Sequence, residues 1–341
     1  MAVICHNGVM GISTGTWISP EIHKLYAEHV KSRSIKFGFL DLAFSDHIAN
    51  LIVSLLEQGH EIGLYADHHV DPNLREEYSN IVALEHEITT KYARFIPRRD
   101  CKASALLVKE GEFIEENIEL VFFHEDFDGF VSFLKGCGIT WPSMTRDATI
   151  IDSACTGVLS AQGKLLLEQM KCFLPNARVD PTGRERILER VYKFTIQWIA
   201  NGCNAQSARK MLRKIERQKK KTLSVARKAA ETAKELNSFL AYVDMSPYIR
   251  EDPLVKVSDI SMYIKERLGP KKIIAVEHSD RESRIHVVEI HIPKYLLGMF
   301  NLHELLPASV RRSTRFRANV STYDFPIFLH NMNNLIEKFK L

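Results

Sequence analysis

Apolar and polar positions in the first half of the chain follow two alternating periods, one of strands and one of helices. From Ile35 the run Ile-Lys-Phe-Gly-Phe-Leu-Asp-Leu is short and apolar, as in a strand buried on both faces. Ser45-Asp46 supplies a helix start. Ile48, Leu51, Ile52, Leu55 and Leu56 then recur at helical spacing, so a helix is predicted over His47 to Gln58, with Gly59 as its stop. Glu61 to Ala66 reads as a second strand. This strand-helix-strand order makes a βαβ unit whose two strands lie parallel with their carboxyl ends on one edge. Glu119 to Phe123 is a third apolar run. Ala2 to Cys5 and Ala148 to Ile151 are weaker cases, read here as strands of the same kind.

The pattern changes beyond about Ile199. Between Arg209 and Lys228 there are ten Lys/Arg against the single acid Glu216, with neither Gly nor Pro. Helix formers dominate, so one long basic helix is predicted. Further on, strands are predicted near Lys272 to Glu277, Arg284 to Ile292 and Thr314 to Val320, and helices over Val257 to Leu268 and Pro326 to Phe339. The expected fold class is α/β: a parallel-sheet domain over residues 1–200, a basic helical linker over 201–236, and a second, smaller α/β domain over 237–341.

Composition narrows the setting. A length of 341 residues suits two domains, and 45% hydrophobic with 26% charged residues excludes wholesale disorder. The formal net charge of +4 is too small to require a polyanionic partner by itself. Cys5, Cys101, Cys137, Cys155, Cys172 and Cys203 form no CxxC pair, which argues against structural zinc and for a reducing compartment. With neither a charged leader and apolar core nor a run of about 18 apolar residues, a cytoplasmic protein with no membrane partner is expected.

The chemistry lies where the apolar runs stop. The first ends at Asp41, the second at Asp67-His68-His69, and the third at His124-Glu-Asp126-Phe-Asp128-Gly129. The weaker runs end at His6-Asn7-Gly8 and Asp152. In open α/β sheets the ligand crevice lies beyond the carboxyl ends of the strands, so these groups should converge. Carboxylates with one or two imidazoles and no thiolate suit Mn²⁺, with Mg²⁺ as the alternative. Several converging carboxylates need counter-charge, and two ions supply it better than one. Sites of this kind activate water and clamp phosphoryl oxygens, so the expected reaction is phosphoester hydrolysis.

Asp41 at a strand end, the Asp67-His68-His69 triplet 26 residues later, and His124-x-Asp126-x-Asp128-Gly129 together resemble the motifs of the DHH phosphoesterase superfamily. That superfamily includes RecJ-like exonucleases and oligoribonucleases. The stretches Phe95-Ile-Pro-Arg-Arg and Ala103-Ser-Ala-Leu-Leu-Val also resemble the segment that follows the triplet there. In most of the family the Asp-x-Asp element precedes the triplet, whereas here it follows, so the order looks permuted. The resemblance implies that Asp41 bridges two metals, His68 ligates one, Asp67 orients a ligand and His69 reaches the substrate phosphate. Asp126 and Asp128 would each hold one metal, with His124 a further ligand. Asp152 is the expected last carboxylate and Asp147 its rival; His6 stays outside the ligand set. The second domain would be of the DHHA1 type that binds substrate.

Lys219, Lys220 and Lys221 on the basic helix, with Arg311, Arg312, Arg315 and Arg317 further on, are the expected substrate contacts, because ammonium and guanidinium groups pair with phosphates. Arg315 and Arg317 are placed on one strand, where they would share a face. This much cationic surface points to single-stranded nucleic acid or a short or cyclic oligonucleotide. The alternatives are a small-substrate pyrophosphatase or exopolyphosphatase, and a catalytically inactive nucleic-acid-binding member of the fold.

Overall fold

The computed structural model describes residues 2–14, 33–44, 46–68, 86–91, 97–99, 102–153, 156–175, 181–280, 285–291, 311–314, 317–321 and 324–338. The chain forms two compact units. The first comprises Met1–Lys171 with Glu185–Leu212, and the second Cys172–Arg184 with Arg213–Leu341. Among the described residues no helix is long and apolar enough to cross a membrane.

The first unit is built on a six-stranded sheet of β1 (Ala2–His6), β2 (Val9–Thr14), β3 (Lys36–Leu40), β4 (Glu61–Asp67), β5 (Pro97–Arg99) and β6 (Leu120–His124). Its order is β1-β2-β6-β3-β4-β5, and every pairing is parallel except β1 with β2. Helix α1 (Asp46–Glu57) connects β3 to β4, giving the predicted βαβ unit. Its Ile48, Ile52 and Leu55 pack with Phe37, Phe39, Tyr65 and Phe122 on one sheet face. Phe123 stacks instead on Phe130 and Phe133 of α2 (Phe127–Gly136). With both faces covered, alternate strand residues are equally apolar, which is why the strands read as continuous runs. Helices α3 (Met144–Asp152), α4 (Ala161–Phe173) and α5 (Pro181–Ala200) follow. Tyr192 of α5 stacks on Phe130, with ring centroids 4.0 Å apart.

Two readings of strands in this unit are corrected. The run before Asp152 is the helix α3, because four apolar residues are too few to distinguish the two periods. The run before His6 is a strand, but an antiparallel one. Asn7 (φ 50°) and Gly8 (φ 80°) form the left-handed two-residue turn of a hairpin, which returns the chain at once. His6 pairs with Val9, at the start of β2, and therefore lies at the sheet edge opposite the carboxyl ends of the parallel strands.

The predicted basic helix exists as the continuous α6 (Ala205–Glu231). The second unit has its own six-stranded sheet, whose main strands are β7 (Leu240–Asp244), β8 (Ile273–Asp280), β9 (Ile285–His291), β10 (Arg311–Thr314) and β11 (Arg317–Ser321), with a two-residue edge strand at Lys234–Glu235. Helix α7 (Val257–Leu268) coincides with its predicted span, and α8 (Phe325–Lys338) begins one residue earlier than predicted. Val225, Ala226, Ala229 and Ala230 of α6 pack with Ala241, Val243, Ile260, Ile264, Ile274 and Val276. The single strand expected from Thr314 to Val320 is instead two antiparallel strands, with Arg311 opposite Asn319 and Arg312 opposite Ala318. Arg317 begins the second of these strands, and Arg315 lies outside the described residues.

Candidate metal centre

Sheet register brings the chemistry together. Leu40 is level with Ala66 on β4 and with Phe123 on β6, so Asp41, Asp67 and His124, each one residue further on, share a row at the carboxyl edge. The Asp41 N–H donates to the Ala66 carbonyl at 2.8 Å. Asp41 turns there with φ 56°, a left-handed conformation that aspartate tolerates better than most residues. The turn leaves its carboxylate fully enclosed.

Two groups of donors meet at Asp41. On one side His68 Nε2 stands 2.9 Å from Asp41 Oδ1 and 3.9 Å from Asp128 Oδ2. On the other, His124 Nδ1 stands 2.7 Å from Asp126 Oδ2 and 3.6 Å from Asp41 Oδ2. In each of the triads Asp41-His68-Asp128 and Asp41-His124-Asp126, one ligating atom per residue lies within 4.8 Å of the others. Asp126 also caps α2 by accepting the Gly129 N–H at 3.0 Å, which fixes its carboxylate at the helix entry. Gly129 is required for space: a Cβ there would fall 2.2 Å from the His124 carbonyl oxygen.

The electrostatics of these groups suit a cation. Burial and the Asp41 charge raise the Asp128 carboxyl to about 7. Asp152, at the end of α3, is raised to about 10 by burial and by the charges of Asp128, Asp126 and Asp41. Burial disfavours the His124 cation, yet hydrogen bonds to Asp126 and Asp41 prevail and push it up to about 10. The hydrogen bond to Asp41 raises His68 in the same way, against its burial. Crowding of like charge and burial raise these carboxyls, and a cation among them would relieve both. Asp152 Oδ2 is buried and faces the same charges, a further carboxylate oxygen for a cation. The residues present therefore fit one or two hard to borderline divalent cations.

Asp147, the rival to Asp152, is committed elsewhere. It accepts from the Trp141 indole N–H at 2.9 Å, from the Ser160 N–H at 2.9 Å and from the Ser160 hydroxyl. Asp67 is fully buried at the end of β4. His69 lies outside the described residues. Lys220 and Lys221 are exposed on α6, and Lys219, also exposed, contributes its charge to Asp259 of α7. Arg311, Arg312 and Arg317 are placed by backbone register alone. Ser104 and Ala105, whose N–H groups hold Asp128, belong to no motif with metal-ligand chemistry of its own. Only the segment's resemblance to the stretch after the Asp-His-His triplet marks them in the sequence.

No protein-family model matches the sequence, and no curated protein matches it. Among solved structures, CDC45 from Entamoeba histolytica is similar at 8% identity and a TM-score of 0.32, over 51% of this chain and 37% of that one. This chain therefore spans well under two thirds of that protein. The pGpG-specific phosphodiesterase PggH from Vibrio cholerae is similar at 11% identity and a TM-score of 0.39, over 90% and 99% of the two chains. The DHH domain of a member of the s1p family of ribosomal proteins is similar at 11% identity and a TM-score of 0.34, over 96% and 94%. At this level of superposition none of the three carries an argument, and the functional reading rests on the donors themselves.

Proposed function

We propose that this chain is a divalent-metal-dependent phosphoesterase of the DHH superfamily, cleaving phosphodiester bonds in single-stranded nucleic acid or in a short or cyclic oligonucleotide. The observation that carries the reading is the pair of donor triads sharing one carboxylate, Asp41. Asp41, His68 and Asp128 would hold one ion, and Asp41, His124 and Asp126 the other, with Asp152 as a further carboxylate. Mixed imidazole and carboxylate donors favour Mn²⁺ over Mg²⁺. Bound there, two such ions supply Lewis acidity at phosphoryl oxygens and make water acidic enough to attack at neutral pH.

The chain's own residues do the rest. Asp41 is held by its turn so that its two oxygens face opposite ways, Oδ1 toward His68 and Oδ2 toward His124. Asp126 is fixed by its capping bond and Asp128 by two backbone amides. Preset ligands of this kind pay little reorganisation when charge develops on a phosphoryl group. Asp67, buried beside His68 in sequence, is assigned to orienting a ligand, and His69 to the substrate phosphate.

Support for an extended anionic substrate comes from α6. At 3.6 residues per turn, Arg213, Arg217, Lys220 and Lys221 share the face away from the buried Ile215, Thr222, Val225 and Ala226, and all four are exposed. Lys219 is exposed as well, but its charge also acts on Asp259 of α7, so it is the weakest of the proposed contacts on α6, and Arg213 and Arg217 join the set. Arg311, Arg312, Arg315 and Arg317 remain assigned to phosphate. The test is a panel of labelled single-stranded DNA, RNA, dinucleotides, cyclic dinucleotides and pyrophosphate, each incubated with Mn²⁺ after chelation. Turnover of a phosphodiester that depends on added Mn²⁺ is expected. Turnover of pyrophosphate alone overturns the substrate class, and full turnover in excess EDTA by metal-free protein overturns the reaction class.

A further inference from the structure

Ser104 touches both halves of the centre. It is fully buried in the 3₁₀ turn Ser104–Leu106, between β5 and β6 in sequence. Its N–H donates to Asp128 Oδ2 at 2.5 Å and the Ala105 N–H to Asp128 Oδ1 at 3.1 Å, so both oxygens of that carboxylate are held by backbone. The Ser104 hydroxyl donates to Asp41 Oδ1 at 3.2 Å, the oxygen that also meets His68 Nε2. The turn is supported from behind, because Lys135 Nζ donates to the Ala105 carbonyl at 2.8 Å. Asp128 and Lys135 lie at opposite ends of the same helix, α2, so the turn is fastened to that helix twice.

The geometry points to Ser104 as a positioning residue of the metal centre, its hydroxyl orienting Asp41 and its amide orienting Asp128 so that both present preset lone pairs to the ions. The inference rests on the metal-dependent reading above. An aspartate rotates freely about its last torsion, and an ionised carboxylate offers about four lone-pair directions. Each N–H or O–H that occupies one direction leaves fewer ways to meet a cation wrongly. Such donors also lower the cost of keeping two carboxylates charged side by side before metal arrives. Partners of metal ligands typically change affinity by about 10- to 100-fold when removed.

Ser104→Ala deletes the hydroxyl and keeps both amides, while Lys135→Met loosens the turn by freeing the Ala105 carbonyl and also removes a cation that acts on Asp128. The measurement is a calorimetric titration of metal-free protein with Mn²⁺ in the absence of substrate, alongside kcat and KM on the phosphodiester the panel identifies. Ser104→Ala is expected to weaken Mn²⁺ binding by about 10- to 100-fold, lowering kcat and leaving KM nearly unchanged. Lys135→Met is expected to shift affinity the same way by a smaller factor. Binding by Ser104→Ala within twofold of the unaltered protein overturns the inference. If that variant does not fold, Ser104→Gly, which also deletes only the hydroxyl and keeps the amide, is titrated instead and decides by the same criterion. Unaltered protein that binds two ions but cleaves no phosphodiester overturns only the proposed function; unaltered protein that binds no divalent ion overturns both.

Discussion

At the scale of single residues, the centre's aspartates do two jobs at once. Asp126 is both a ligand candidate and the N-cap of α2, and Asp128 is both a ligand candidate and the acceptor for two buried amides. Removing Asp128 therefore relieves repulsion from Asp41 but leaves the Ser104 and Ala105 N–H groups without an acceptor, which costs about 1 to 3 kcal/mol for each buried group. Asp128→Asn keeps a carbonyl oxygen for one of those amides. Both Asp128→Ala and Asp128→Asn should lose Mn²⁺ binding by calorimetry, but in urea denaturation the alanine variant should be less stable than the asparagine variant by about 1 kcal/mol or more. Equal stabilities would show that the amides do not depend on this carboxylate.

Elements bring two further expectations. The close packing of the β6 end against the start of α2 rests on Gly129, whose φ is unexceptional but whose missing Cβ makes room for the His124 carbonyl. Gly129→Ala meets fixed backbone at 2.2 Å, so it should destabilise the protein by about 3 kcal/mol or more and abolish metal binding. Gly157→Ala meets only the Ile150 side chain, Cδ1 at 2.6 Å and Cγ1 at 3.0 Å, which can turn aside, and should be milder by the same denaturation measurement. On α6, replacing Arg213, Arg217, Lys220 and Lys221 with Ala should flatten the slope of log K against log salt for single-stranded nucleic acid by roughly 0.7 per contact, about 3 units in all. Lys219→Ala should change it little, because that charge faces Asp259. An unchanged slope in the fourfold variant would make the basic face a solvated one.

For the whole molecule, the division into two units predicts where metal acts. Every member of the two donor triads lies within Met1–Lys171. Mn²⁺ at about 100 times its dissociation constant should stabilise the folded form of that unit by roughly 2.7 kcal/mol. Hydrogen exchange read by mass spectrometry should show new protection over Leu120–His124 and Ser104–Leu106, with Leu240–Asp244 of the second unit unchanged. Equal protection in both units would mean that the metal reports on the whole chain as one cooperative body.

The sequence alone determined what depends on local pattern and chain order. The period of the apolar positions located β3, α1, β4, β6, α6 and α7 closely, and the short crossover made β3 and β4 parallel, so Asp41 and Asp67-His68 had to emerge on one edge. Asn7-Gly8 is likewise a strong two-residue hairpin cue, and it places His6 at the far edge. Only the tertiary structure decided the neighbours. Nothing local says that β6 inserts between β2 and β3, yet that insertion sets His124, Asp126 and Asp128 against Asp41. Nothing local distinguishes Asp152 from Asp147, five residues apart on one helix, until packing gives Asp147 to Trp141 and Ser160 and leaves Asp152 near the other acids. The segment around Ser104 carries a resemblance but no hint of the residue's role, because that role is made by carboxylates 63 and 24 residues away. Periodicity is a property of adjacent residues and survives in the sequence, whereas strand order, register and the pairing of buried polar groups arise only when distant segments compete for the same contacts.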